Sequence, residues 1–194
     1  MLNIKKGKAG KKSRSKRIFL LILIIVILTF LVGSFIFYKY QNKKYPTLPT
    51  RAKEKILVDL YFAEPNSESL IIEKRKVEAT GDLTSRSKQV ILELIKGPDT
   101  SLTGTIPPGT TLRNLSINSD GIAFVDFSSE LTSRHPGGSS AELLTIYSIV
   151  NSLTLNFKGI EKVQILVEGK KVETIAGHIF AMMPFEADMK IVGK

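Results

Sequence analysis

Cysteine and tryptophan are absent from the 194 residues, and histidine occurs only as His135 and His178. Without cysteine there is no disulfide, no thiolate nucleophile, no Cys-ligated zinc and no acceptor for a bacterial lipoprotein anchor. Two histidines are a thin supply of metal ligands, so neither a metal nor a cofactor is expected. Acidic residues are missing from residues 1–44, which hold eleven Lys/Arg. Residues 45–194 hold seventeen Lys/Arg against eighteen Asp/Glu. The net charge of +10 therefore belongs to one end of the chain. The larger part is close to neutral and offers no basic face to phosphates, so nucleic acid is not expected as a partner.

What the first segment does have is a run without charge or proline, IFLLILIIVILTFLVGSFIF, residues 18–37. As a helix it would be about 30 Å long, the thickness of a bilayer's hydrocarbon core. Tyr38 and Tyr40 follow as interfacial anchors. Eight Lys/Arg precede the run and three follow closely, which predicts a cytoplasmic N-terminus and residues 45–194 outside the cytoplasm. A cleaved signal peptide would have a shorter apolar region and a small-x-small site, and Thr29 to Phe37 offers none. The expected organisation is a basic cytoplasmic tail (1–17), a membrane-spanning helix (18–37), an extended linker (38–53) containing Pro46 and Pro49, a globular domain (54–185) and a C-terminal tail (186–194).

Periodicity in the globular part predicts strands at Lys55–Phe62 and Leu70–Val77. The second is an edge because Glu73, Lys74, Arg75 and Lys76 crowd it. A helix follows, capped by Thr84 or Ser85, striped by Val90, Ile91, Leu94 and Ile95, and stopped at Gly97-Pro98. After a long loop at 99–110, two strands meet at the tight-turn sequence Asn118-Ser119-Asp120-Gly121. A second helix spans about Ser140–Phe157. Val163, Ile165 and Val167 alternate in a further strand, which turns at Glu168-Gly169 toward a short strand at Val172–Ile175. The order ββα-ββα-ββ, without a long crossover, predicts an α+β fold: a mixed sheet with two helices on one face.

The stretch RHPGGSSAELLTIY, residues 134–147, holds residue types that catalytic loops use. The Gly-x-Ser-x-Gly elbow and the Gly-x4-Gly-Lys-Ser/Thr phosphate loop are both absent. Ser139 and Glu142 instead have the spacing of a capping box, with Gly137 and Gly138 providing the turn into the helix. Gly137, Gly138, Ser139 and Glu142 are thus expected to cap a helix and to be a candidate partner contact. The loop tip Pro107, Pro108 and Gly109 is a second candidate contact. His178 suits local packing or exposure better than ligation. Asp126 and Glu130 fix no acid–base geometry, and Met182 and Met183 suit a core gap or a tail. No catalytic residue is assigned.

Seven short stretches occur in a family's order: LYF (60–62), KGP (96–98), IPPGT (106–110), VDFSSEL (125–131), GGSSAE (137–142), IVNSLT (149–154) and VQILVEGK (163–170). Over about residues 55–185 the chain resembles the GerMN domain of sporulation and spore germination. That resemblance implies a non-enzymatic α+β module of the bacterial cell envelope. It also implies a link with germination, peptidoglycan handling or assembly of envelope complexes. This chain has one copy, an apolar helix in place of a lipidated cysteine, and MMPFEAD at 182–188, where an arginine often follows the proline.

The expected function is a membrane-tethered, non-catalytic interaction module. Its candidate partners are another envelope protein, peptidoglycan or a second copy of the chain. The alternative is a cell-wall hydrolase or esterase using Ser139 or Ser140 with His135.

Overall fold

The computed structural model describes residues 11–41, 55–78 and 81–193. The chain divides into two units, Met1–Arg51 and Ala52–Lys194. In the first, helix α1 (Lys11–Gln41) contains the stretch Ile18–Tyr40, 23 residues long and apolar enough to cross a membrane. Its large side chains are exposed all round, as a helix solvated by lipid requires. The helix runs past Phe37 into the expected linker, because none of Tyr38, Lys39, Tyr40 and Gln41 breaks a helix. Residues 1–10 of the basic tail, and linker residues 42–53, lie outside the described residues.

The second unit opens with a hairpin, β1 (Lys55–Ala63) against β2 (Leu70–Glu78), antiparallel and in unbroken register from Lys55↔Glu78 to Ala63↔Leu70. Helix α2 (Leu83–Lys96) begins on Asp82, whose carboxylate accepts from the Ser85 amide at 2.8 Å. The cap is therefore Asp82 and not Thr84 or Ser85. An acid there satisfies a free amide and also complements the positive end of the helix dipole. Gly97 ends the helix as expected. Strands β3 (Leu112–Ile117) and β4 (Ile122–Phe127) form the next hairpin. Its turn is held by Asn118 Oδ1, which accepts from the Asp120 and Ile122 amides.

The short helix α3 (Glu130–Ser133) leads into α4 (Ser139–Thr154), then β5 (Lys162–Val167), β6 (Lys170–Lys171) and β7 (Phe185–Glu186). The long helix stops at Thr154, short of the expected Phe157. The predicted strand Val172–Ile175 does not form, because the Ile175 amide bonds a side chain of α4. β4 and β5 pair in parallel, Ile122↔Lys162 through Phe127↔Val167. Parallel neighbours need a crossover, and α3 with α4 supplies it, correcting the expectation that none exists. The α+β class and the mixed sheet hold. The strands divide between a two-stranded sheet, β1-β2, and a five-stranded one, β3-β4-β5-β6 with β7 on β5.

The two sheets share helices. α2 packs on α4, β1, β2 and β3, and α4 packs on β1, β5 and β7. The core beneath them includes Leu60 and Phe62 of β1, Ile91 of α2, Phe127 of β4, Ile149 and Leu153 of α4 and Ile165 of β5, all fully buried. Each such side chain contributes about 1.5–3 kcal/mol by leaving water. A core of this size holds the domain together without a disulfide.

Candidate functional site

The entry to α4 gathers the residues that the sequence singles out. Gly137 and Gly138 both adopt left-handed backbone, φ 85° and 84°, and a Cβ on either would meet no atom within 4 Å. Glycine is required here by conformation and not by crowding. Gly138, not Ser139, is the N-cap, and no side-chain bond caps the helix. Ser139 is the first helical residue. The capping box is therefore not formed: two left-handed glycines carry the chain past the point where a serine could reach back.

Glu142 has a different task. Its side chain is fully buried. Oε1 accepts from the amides of Ile175 (2.8 Å) and Ala176 (2.9 Å), and Oε2 from those of His178 (2.8 Å) and Ile179 (3.2 Å). The exposed His178 ring lies beside it, with Nδ1 3.4 Å from Oε2. Burial opposes ionisation of Glu142, but the four N–H donors outweigh it and hold the carboxyl below its ordinary value. One carboxylate thus replaces the ladder partners that segment 175–179 lacks.

His135 is tied on both sides. The Gly137 amide donates to Nδ1 at 3.1 Å, and Nε2 lies 3.0 Å from Thr145 Oγ1. Thr145 Oγ1 donates its one proton to the Thr105 carbonyl at 2.6 Å. The hydroxyl must then accept from the ring, so the network assigns His135 as the neutral Nε2–H tautomer. Thr105 Oγ1 continues the chain to Ser148 Oγ (2.7 Å), which donates to the Thr145 carbonyl (3.0 Å). Burial pushes the imidazole below its ordinary value, and the charge of Glu142 opposes this more weakly.

A hydrolase of the Ser–His kind needs a free imidazole nitrogen facing the serine. Here Nδ1 is occupied by the Gly137 amide, and Ser140 Oγ donates to Glu68 Oε1 at 2.6 Å. No hydrogen bond among the described residues joins Ser139 or Ser140 to His135. The pairing that the alternative function requires is not formed.

The second candidate contact adjoins the first. Pro107 is buried, Pro108 and Gly109 form an exposed tip closed by the Thr110 amide on the Pro107 carbonyl, and Arg134 Nη1 reaches the Pro108 carbonyl at 3.4 Å. A cleft of about 270 Å³ opens nearby, lined by Ala63, Thr103, Thr105, Pro136, Leu144 and Thr145 among others. Asp126 is mostly buried and accepts from the Gly169 amide at 2.7 Å, so it steadies the β5–β6 turn and forms no pair with the half-buried Glu130. Met183 is exposed and Met182 partly so. Among the described residues no group of three or more His, Cys, Asp or Glu could hold a metal ion.

Sequence reasoning missed two features. Asn151 on α4 and Asn156 just past its end each act as a backbone surrogate. Asn156 Oδ1 accepts from the Asp59 amide and its Nδ2 donates to the Asp59 carbonyl; Asn151 does the same with Asp188. Their signal was polar residues within the apolar stretch expected to be helical. The other feature is Arg75, nearly buried, which donates to the Glu93 and Gly97 carbonyls at the end of α2 and pairs with Glu73 and Glu93. Its Nε lies 3.3 Å from Asp99 Oδ2, out of line for a hydrogen bond. Burial works against the charge on Glu73, yet bonds from Thr100, Asp99 and Arg75 keep its carboxyl below the ordinary value. In sequence these residues pass for a solvated charge run.

A family described as sporulation and spore germination, Germane, matches residues 59–173, from β1 to just past β6. The chain belongs to this family. The first GerMN domain of the sporulation protein GerM from Bacillus subtilis is 20% identical, with a TM-score of 0.52 over 70% of this chain and 98% of that one. The tandem GerMN domains of the same protein give 20% identity and a TM-score of 0.51, over 70% of this chain and 46% of theirs. This chain thus spans about half of the tandem structure, and the likeness shows the GerMN fold. A candidate lipoprotein from Clostridium perfringens is 26% identical over 68% of this chain and 87% of its own, with a TM-score of 0.49. A second family description, DNA binding protein S1FA, matches residues 9–57, a stretch dominated by α1. Comparison with curated proteins gives no match.

Proposed function

We propose that this GerMN-family chain is a membrane-anchored, non-catalytic adaptor of the bacterial cell envelope. In this reading α1 crosses the cytoplasmic membrane with its basic end inside. The domain at 52–194 stands outside and binds an envelope protein or peptidoglycan. The observation that carries the reading is the family match over residues 59–173, in a chain whose helix α1 is long and apolar enough to span a bilayer. The engagement of His135 and Ser140 in structural bonds supports it. A link to sporulation or germination follows from the family.

The adaptor acts by contact, so its test is capture. Full-length chain crosslinked in membranes of its host should bring down one or a few envelope proteins, or sediment with peptidoglycan sacculi. Recovery of neither would refute the adaptor. Digestion of muropeptides by the purified chain, abolished in His135→Ala, would establish the hydrolase in its place.

A further inference from the structure

A sheet accepts a new strand only where an edge still offers unpaired N–H and C=O groups. The outer edge of β1 is taken from Asp59 to Ala63. Its outward amides on Asp59, Tyr61 and Ala63 donate to Asn156 Oδ1 (2.9 Å), Ser152 Oγ (3.1 Å) and the Thr103 carbonyl (3.0 Å). In the five-stranded sheet, β3 has a register break between Leu112 and Asn114, and β6 and β7 are two residues each. Bulges and short strands blunt those edges.

The edge of β2 is different. Asp59, Tyr61 and Ala63 stand opposite Lys74, Ile72 and Leu70. In an antiparallel ladder, residues opposite one another point their backbone groups the same way relative to the pair. Leu70, Ile72, Lys74 and Lys76 therefore turn theirs away from β1. Leu70 is already engaged: its amide donates to the Ile191 carbonyl at 2.8 Å, and the Gly193 amide donates to its carbonyl at 2.9 Å. The C-terminal segment has thus begun to add a strand there. Beyond it, no hydrogen bond among the described residues reaches the outward backbone of Ile72, Lys74 or Lys76. This stretch runs without bulge or proline.

The side chains choose the occupant. Ile72, Lys74 and Lys76 are exposed on one face of the sheet. Among the described residues Lys74 has only Asp59 as an ionic partner, at 4.0 Å, and Lys76 faces Leu57, itself 56% exposed. A second copy of this edge would bring lysines opposite lysines, and like charges directly across a ladder are destabilising. An extended segment with acidic residues at alternate positions would meet both lysines while its backbone satisfied the open edge. We propose that the outer edge of β2, from Ile72 to Lys76, docks an extended acidic segment of a partner protein as an added strand. This rests on the adaptor reading and names the contact by which it would operate.

The test uses the full chain in detergent micelles and a capped peptide, Thr-Glu-Thr-Glu-Thr-Val-Thr. At saturating peptide, amide exchange at Ile72, Lys74 and Lys76 should slow about tenfold. The double variant Lys74→Glu/Lys76→Glu should weaken the acidic peptide about tenfold at low salt and prefer a peptide with lysine in place of glutamate. A version N-methylated at alternate amides should not bind. Unchanged exchange would overturn the proposal. So would equal binding of the N-methylated peptide, which would show lysine electrostatics without strand addition. Capture of the same envelope partner by wild type and double variant would keep the adaptor and remove this edge as its dock. If no partner is captured the adaptor fails, and the peptide exchange still decides the edge.

Discussion

Glu142 organises the region around the α4 entry more than any other single residue. Glu142→Gln would replace an oxygen with an NH₂ group facing N–H donors, at a cost of about 3 kcal/mol, read from chemical denaturation. A variant within experimental error of wild type would show that the cradle at 175–179 does not depend on the carboxylate. Two pH windows follow. The Glu142 carboxyl lies below its ordinary 4.5, so its contribution is complete above 4.5 and is lost as pH falls through the lowered value. The His135 imidazole lies below its ordinary 6.5, because burial disfavours its charged form more than the nearby Glu142 charge favours it. Its contribution is complete above 6.5 and is lost as pH falls through the folded value. Melting temperature should therefore decline in two stages on acidification. His135→Gln should flatten the upper stage and Glu142→Gln the lower; a midpoint indifferent to pH across both windows would contradict both assignments. Neither role was legible in the sequence. The partners of Glu142 lie more than thirty residues downstream, and only the fold brings them to it.

Elements were more legible than their ends. The apolar stripes of α2 and α4, the alternation in β1 and β5, and the Asn-Ser-Asp-Gly turn all sit where periodicity put them, because each is a local pattern facing a common core. The errors lie at termini and pairings. Asp82 displaced Thr84 and Ser85 as a cap, and left-handed Gly138 displaced Ser139. The parallel pairing of β4 with β5 is a tertiary choice that no single segment encodes. The cap correction has a direct test. Ser139→Ala should cost under about 0.5 kcal/mol, since its hydroxyl caps nothing. Gly138→Ala should cost about 1 kcal/mol or more, from left-handed backbone alone. The reverse order would restore the serine cap. Within α4, Ile149→Ala should cost about 3 kcal/mol through the cavity it leaves, and a near-neutral result would mean that the helix does not carry the core.

For the whole molecule, composition told more than motif. The separation of a basic, apolar first segment from a near-neutral remainder is visible in the sequence, and helix α1 carries the apolar run. The absence of cysteine makes topology directly testable. Ser101→Cys, in an exposed turn, should react with a membrane-impermeant maleimide in intact protoplasts; labelling only after lysis would reverse the proposed orientation. The central claim is that the module works by contact, with Ser140 and His135 engaged in structural bonds. The most direct measurement is quantitative in-cell crosslinking of wild type beside a Ser140→Ala/His135→Gln variant. The adaptor account predicts the same envelope partner in equal yield from both. No partner from a well-expressed wild type, or a substrate-like wall fragment held covalently by wild type alone, would contradict it.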